Sequence, residues 1–285
     1  MADLWWDEKF LTYHYSLENI ARNGSFILPF QKEPNLVRVG FIGPYSLAYA
    51  PDSPINLGSL NEIWSDLLFK YDESELQVRL PPEIYYQELF RANFEVLSRL
   101  GARVLYKDIN FHLDLTGNFR ESINRNRSRE LKRGSLRNYG FKAITLEDAY
   151  EVILANRQGK GLKPSLTKQQ FNRLHETFPS ALRFHGVELE GRVVSSSITM
   201  IISSFHAYVF MWGHDASEPA SGESISTLCE GLFNTFKSEG FQILCLGTAS
   251  VQGVIDVGLS RYKSSLGAIE SLRITMGKIQ GTHTE

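Results

Sequence analysis

The chain has 285 residues, 42% hydrophobic and 12% aromatic, which is the make-up of a globular protein long enough for two domains. Its 30 basic and 32 acidic side chains leave a formal charge of −2, which excludes a general nucleic-acid coat and a polybasic membrane anchor but leaves local patches open. No run approaches the ~20 apolar residues of a membrane span, and Met1–Glu8 lack the basic start and apolar core of a signal peptide, so a cytoplasmic location is expected.

In chain order, the apolar runs 25–30 and 36–42 flank Gln31–Asn35 and predict a β-hairpin. Leu60, Ile63, Trp64, Leu67 and Leu68 recur at helical spacing over 60–70. A strand is expected at 76–80 before Pro81-Pro82, and a helix at 85–100 that stops at Gly101. Residues 108–115 alternate polar and apolar, the period of a strand. That strand sets His112 beside Asn110 and Asp114, and it gives way at Thr116-Gly117-Asn118 to a basic run from Arg120 to Arg137. Helices are expected at 146–156 and 167–177, around the loop Gly159–Pro164. Strands follow at 184–189 and 192–202 about the turn Glu190-Gly191. A strand at 207–212, a helix at 224–238 closed by Gly240, a strand at 242–246 and a short helix near Tyr262 complete the reading. Cys229 falls in a helical pattern and Cys245 in an apolar run. Both read as small buried hydrophobes, without disulfide or metal spacing. His14, His175, His185, His206 and His283 show no pairing with carboxylates or cysteines at metal-ligand spacing, and no metal is expected.

Each half gives hairpin, strand, helix and strand, which predicts an α/β chain (α+β, mixed sheets) of two tandem units, residues 1–140 and 141–285. In the second half a hairpin leads to Met211-Trp212-Gly213-His214-Asp215, then a helix, the strand Ile243–Thr248, and Gly258-Leu259-Ser260-Arg261-Tyr262-Lys263-Ser264-Ser265-Leu266-Gly267. That order resembles the Fem-type branch of the GNAT-like acyltransferases, whose members show a "GLxRFKxxFG"-type ending. Leu113-Asp114-Leu115-Thr116-Gly117 and Asn124–Arg129 are similar to a "DLS…RRNIRRA" passage of the same family, so the resemblance spans roughly 105–270. It implies two tandem GNAT-like domains and acyl or aminoacyl transfer to an amine. The chain lacks a long charged heptad segment for the helical arm that many members carry, which weighs against an aminoacyl-tRNA donor. It also lacks the Arg/Gln-x-x-Gly-x-Gly/Ala loop with which ordinary GNAT enzymes hold the coenzyme A pyrophosphate.

Acyl transfer to an amine needs alignment, a proton acceptor and stabilisation of a developing oxyanion; it needs no nucleophilic side chain. By the resemblance, Lys263 occupies the family's lysine, where a cation could hold a donor phosphate or the developing charge. The plainer reading is a solvated lysine. His214 and Asp215 lie just past a strand end, where loops present site residues, and a histidine there could accept the amine proton. Ser221, Gly222, Ser224 and Ser226 precede or open a helix whose N–H groups and dipole could hold an anion, in the place where GNAT folds seat donor phosphates. An ordinary N-cap at Ser224 or Ser226 is the alternative. On a helix, Arg125, Arg129, Lys132 and Arg133 share one face, either as a solvated stripe or as a surface for a polyanion. The donor expected is an acyl-CoA or an acyl-carrier protein, and the acceptor a small-molecule amine. A tRNA-dependent aminoacyltransferase and a non-catalytic GNAT-like binding module are the competing readings.

Overall fold

The computed structural model describes residues 8–14, 17–23, 26–40, 48 and 55–278. In chain order these form α1 (Glu8–His14), β1 (Ile20–Asn23), β2 (Phe26–Pro29), β3 (Gln31–Glu33), β4 (Leu36–Val39), α2 (Leu57–Lys70), β5 (Glu75–Arg79), α3 (Gln87–Arg99), β6 (Arg103–Asp114), α4 (Phe119–Ser122) and α5 (Arg125–Leu136). There follow β7 (Gly140–Ala143), α6 (Leu146–Gly159), α7 (Lys168–Thr177), β8 (Leu182–Leu189), β9 (Arg192–Ile201), β10 (His206–His214), α8 (Ser221–Ser238), β11 (Ile243–Thr248), β12 (Ser250–Val251), β13 (Val254–Ile255), α9 (Val257–Ser265) and β14 (Ile269–Lys278). The class is mixed α/β, as the sequence predicts. Among the described residues, no helix is long and apolar enough to cross a membrane.

The contacts divide the chain into two units that interleave: residues 1–110, 248–256 and 271–285 form one, and 111–247 with 257–270 the other. These are not the halves 1–140 and 141–285 read from the sequence. The run β7-α6-α7-β8-β9-β10-α8-β11-α9 does start at Gly140, but β6 and β14 each carry residues of both units.

In the first unit, β4 pairs parallel with β5, and β5 antiparallel with β14. α2 packs on α3 through Leu60, Ile63, Trp64 and Leu67 from one helix, and the second helix buries Leu89, Phe90, Val96 and Leu97. Buried Asn93 accepts from Trp64 Nε1 at 2.8 Å and donates to the Leu89 and Ala48 carbonyls, so its polar atoms are satisfied inside the core. The expected hairpin is re-paired. β4 pairs with β3 across a tight Pro34-Asn35 turn (Glu33↔Leu36), while the apolar run Phe26–Pro29 pairs back with β1. A two-residue turn makes the residues nearest to it the first pair, which puts Gln31–Glu33 into a strand instead of the loop. The ends of that expected hairpin, Ser25 and Phe41-Ile42, lie outside the described residues, as do Met1–Asp7 and His283.

In the second unit, β7, β8, β9 and β10 pair antiparallel in succession and β10 pairs parallel with β11. The β8–β9 turn is Glu190-Gly191, at φ 51° and 82°. Both residues thus take the left-handed conformation that a two-residue hairpin of matching twist requires. α8 buries Ile225, Leu228, Cys229, Leu232, Phe233 and Phe236, and packs against β8, β9 and α5. Its Gly231 lies so close to the Phe141 ring of β7 that an added Cβ would stand 2.1 Å from Cδ2.

Candidate active site

β10 and β11 run parallel but pair over only three residues, His206↔Ile243, Ala207↔Leu244 and Tyr208↔Cys245. Both strands continue beyond that register, to His214 and to Thr248. The cause lies on the other edge of β10, where pairing with β9 shifts between Val209 and Met211. An extra residue there bends and twists the strand. On β11, Gly247 takes φ 74°, and an added Cβ would stand 3.3 Å from the Tyr208 hydroxyl. The result is an opening between two strand edges with main-chain groups along it.

Lys263, on α9, sits at the β11 side of this opening. It is only 2% exposed, and its Nζ donates to the Leu246 and Gly247 carbonyls at 2.7 and 2.9 Å. The ammonium also lies 5.9 Å from the centroid of the Phe111 ring. The solvated lysine is thus ruled out, and the cation is committed to the end of β11. Next to it, Tyr262 packs edge-on to Trp212 of β10 and lies under the Arg127 guanidinium, 4.8 Å from the ring centroid. Its hydroxyl is buried beside the Cys229 thiol, and burial drives the phenol well above its usual range and the thiol to about 12. Cys245 is buried as well.

His214 ends β10, pairs with Ser195 of β9, and its carbonyl accepts from Asn156 of α6 at 2.8 Å. Burial and the Lys160 ammonium hold its imidazole below the ordinary histidine range, with Asp215 pulling the other way. It is therefore neutral at neutral pH, the form that accepts a proton. Asp215 is differently employed. Its Oδ1 accepts from the Ser217 N–H and hydroxyl at 2.8 and 2.7 Å, and its Oδ2 pairs with Arg192. It shapes the turn that leads to α8.

The first turn of α8 carries carboxylates. Its N-cap is Ala220, without a side-chain cap, so neither Ser224 nor Ser226 caps the helix. Ser224 Oγ donates to the Ser221 carbonyl at 3.0 Å, and Ser226 Oγ to Glu130 Oε2 at 2.6 Å. A Cβ at Gly222 would meet Glu130 Oε1 at 3.1 Å. Glu218 accepts from the Ala220 N–H at 3.3 Å and from the Tyr139 hydroxyl at 3.0 Å. The dipole at this helix start therefore meets the chain's own anions.

The basic run folds as α4 and α5, with Asn124 capping α5 by accepting from the Asn126 and Arg127 N–H groups at 3.0 Å each. Four of its arginines find carboxylates: Arg120 with Glu230, Arg127 with Glu130, and Arg133 and Arg137 with Glu223. Arg125, Arg129 and Lys132 stay exposed and make no ion pair among the described residues. The fold therefore sets the candidates named from the sequence in three places. Ser226 and Gly222 meet α5 through Glu130, His214 stands at the end of β10, and Lys263 at the end of β11. The sequence did not show Arg127 and Glu130 as the link between α5 and α8; the one signal was their i, i+3 spacing. His112, which the strand pattern sets beside Asn110 and Asp114, is buried, and burial lowers its basicity.

No protein-family model matches the sequence, and no curated protein matches it. Solved structures match it in shape. FemX gives a TM-score of 0.67 at 12% identity, over 91% of this chain and 87% of its own. L-PGS from Bacillus licheniformis gives 0.66 at 12% identity, over 93% and 84%. A tandem GNAT protein from the clavulanic acid biosynthesis pathway gives 0.51 at 12% identity, over 95% and 87%. Identities this low carry the fold and nothing finer: the chain has a Fem-type, GNAT-like fold.

Proposed function

We propose that the chain is an acyltransferase that joins an acyl group to an amine in the opening between β10 and β11. The observation that carries this reading is the early end of pairing between these two parallel strands, which leaves main-chain groups to face a bound carbonyl. Backbone N–H groups there would stabilise the oxyanion that forms when an amine attacks a thioester carbon. A C–N bond forms, the C–S bond breaks, and the thiol leaves with the proton that the amine gives up. Neutral His214, at the end of β10, is the group proposed to take that proton. Lys263 acts through the backbone as a positioning residue: by holding the Leu246 and Gly247 carbonyls it fixes the β11 edge.

The donor proposed is a thioester, on coenzyme A or on a carrier protein. The carboxylates at the first turn of α8 speak for a donor whose phosphate is held elsewhere than at Ser221–Ser226. The test is to offer acyl-CoAs, an acyl-carrier protein and aminoacyl-tRNA with a pool of amines, following free thiol and amide mass. Amide with a thioester donor supports the reading. Product from aminoacyl-tRNA alone overturns the donor class, and no product from any donor overturns the activity.

A further inference from the structure

The face of α5 that its neighbours leave open has a pattern of its own. Arg125, Arg129, Lys132 and Leu136 follow one another at i, i+4, i+7 and i+11, so they form one row along the helix. The three cations are exposed and make no ion pair among the described residues, whereas the other arginines of the run are neutralised by Glu130, Glu223 and Glu230. At the end of the row stands Leu136, 77% exposed. Beside it runs a groove of about 390 Å³ whose floor is formed by the buried Ile123 and Leu131, with Leu136, Ser128, Ser135, Lys132 and the Glu230-paired Arg120 along its sides. The surface is thus an apolar trough with a cationic rim.

We propose that this face docks an acidic amphipathic helix of an acyl-carrier protein, so that the thioester donor arrives on a protein. The inference rests on the acyl-transfer reading for what the partner carries, but not for the surface itself. A helix with an apolar stripe would lay it against Leu136, over the floor that Ile123 and Leu131 form, and set its flanking carboxylates on Arg125, Arg129 and Lys132. An RNA fits less well. Affinity for a nucleic-acid backbone comes from several simultaneous phosphate contacts. This face offers three cations without an ion pair among the described residues, beside an exposed leucine and an apolar groove floor against which a phosphate backbone has nothing to place.

The test is a titration of fluorescently labelled holo acyl-carrier protein and, separately, of mixed tRNA, against the full chain and the variants Lys132→Glu and Leu136→Asp. Both positions are exposed, and an unchanged melting temperature checks that the variants fold. The expected result is carrier binding that weakens on the order of tenfold in each variant and falls with added salt. Three results would each overturn the proposal: no carrier binding, carrier binding that neither variant changes, or tighter binding of tRNA that Leu136→Asp leaves intact. Transfer from acyl-CoA, measured on the same variants, separates this inference from the activity. Carrier binding with the expected pattern but no transfer from any thioester sinks the activity and leaves the docking surface standing. Transfer from acyl-CoA without carrier binding does the reverse.

Discussion

His214 and Lys263 sit at the ends of the two strands that part, and they differ in what a substitution would reveal. Because burial and Lys160 hold His214 below the usual histidine range, its neutral form persists as pH falls through 6.5, the ordinary histidine value. Transfer is expected to keep its rate below that pH and to lose it only as His214 protonates. His214→Gln should abolish that acid limb, and a rate profile from pH 5 to 8 checks it. Lys263→Met keeps the bulk but removes the donor to two carbonyls. Leaving such acceptors without a partner costs about 1–3 kcal/mol each when buried. The variant should unfold at lower urea and lose kcat, while Lys263→Arg recovers part of both. The resemblance picked out Lys263 but not its burial, since a lysine in a short polar helix reads as solvated. Likewise Ser226 reads as a cap or an anion ligand, because its partner Glu130 is 96 residues away in sequence.

α8 and its neighbours show why some elements are legible and others are not. The helix itself follows from the spacing of Ile225, Leu228, Leu232 and Phe236, and the β8–β9 hairpin from Glu190-Gly191. β14 and β7 escape a sequence reading. Ile269–Lys278 shows mixed burial in place of alternation, and Gly140–Ala143 is too short to declare a period. The β12–β13 hairpin is held by tertiary contacts. Asp108 of β6 accepts from Ser250 Oγ at 2.9 Å and the Gly253 N–H at 3.1 Å, and pairs with Arg273 at 3.0 Å. Burial alone would raise that carboxyl, but these three donors outweigh it and hold it below the usual range. Glycines test the packing of α8. Gly231→Ala drives a methyl into the Phe141 ring and should destabilise by about 1–3 kcal/mol in urea unfolding. Gly159→Ala meets no atom within 4 Å and should stabilise, by at most about 1 kcal/mol.

For the whole molecule, the sequence reveals the class and the order of elements in the second half, since these rest on local periodicity and turn chemistry. It does not reveal that residues 248–256 and 271–285 join the first unit, because a return of the chain leaves no local mark. Buried histidines give the molecule a pH dependence. Burial lowers His185 to about 4 and His206 to about 3, both below the 6.5 of an unfolded histidine. Between those values the unfolded state holds more protons than the folded one. Stability is therefore full above about pH 6.5 and declines as pH falls, by up to about 1.4 kcal/mol per pH unit for each histidine. Urea midpoints at pH 7 and pH 5 check this, and a midpoint that does not fall would contradict it.

The acyl-transfer reading is tested most directly by mixing the chain with a thioester donor and a pool of amines, and following thiol release and amide mass together. One amide is expected for each thiol released, with an acid limb that His214→Gln removes. Thiol release without amide, or no turnover with any thioester, would contradict it.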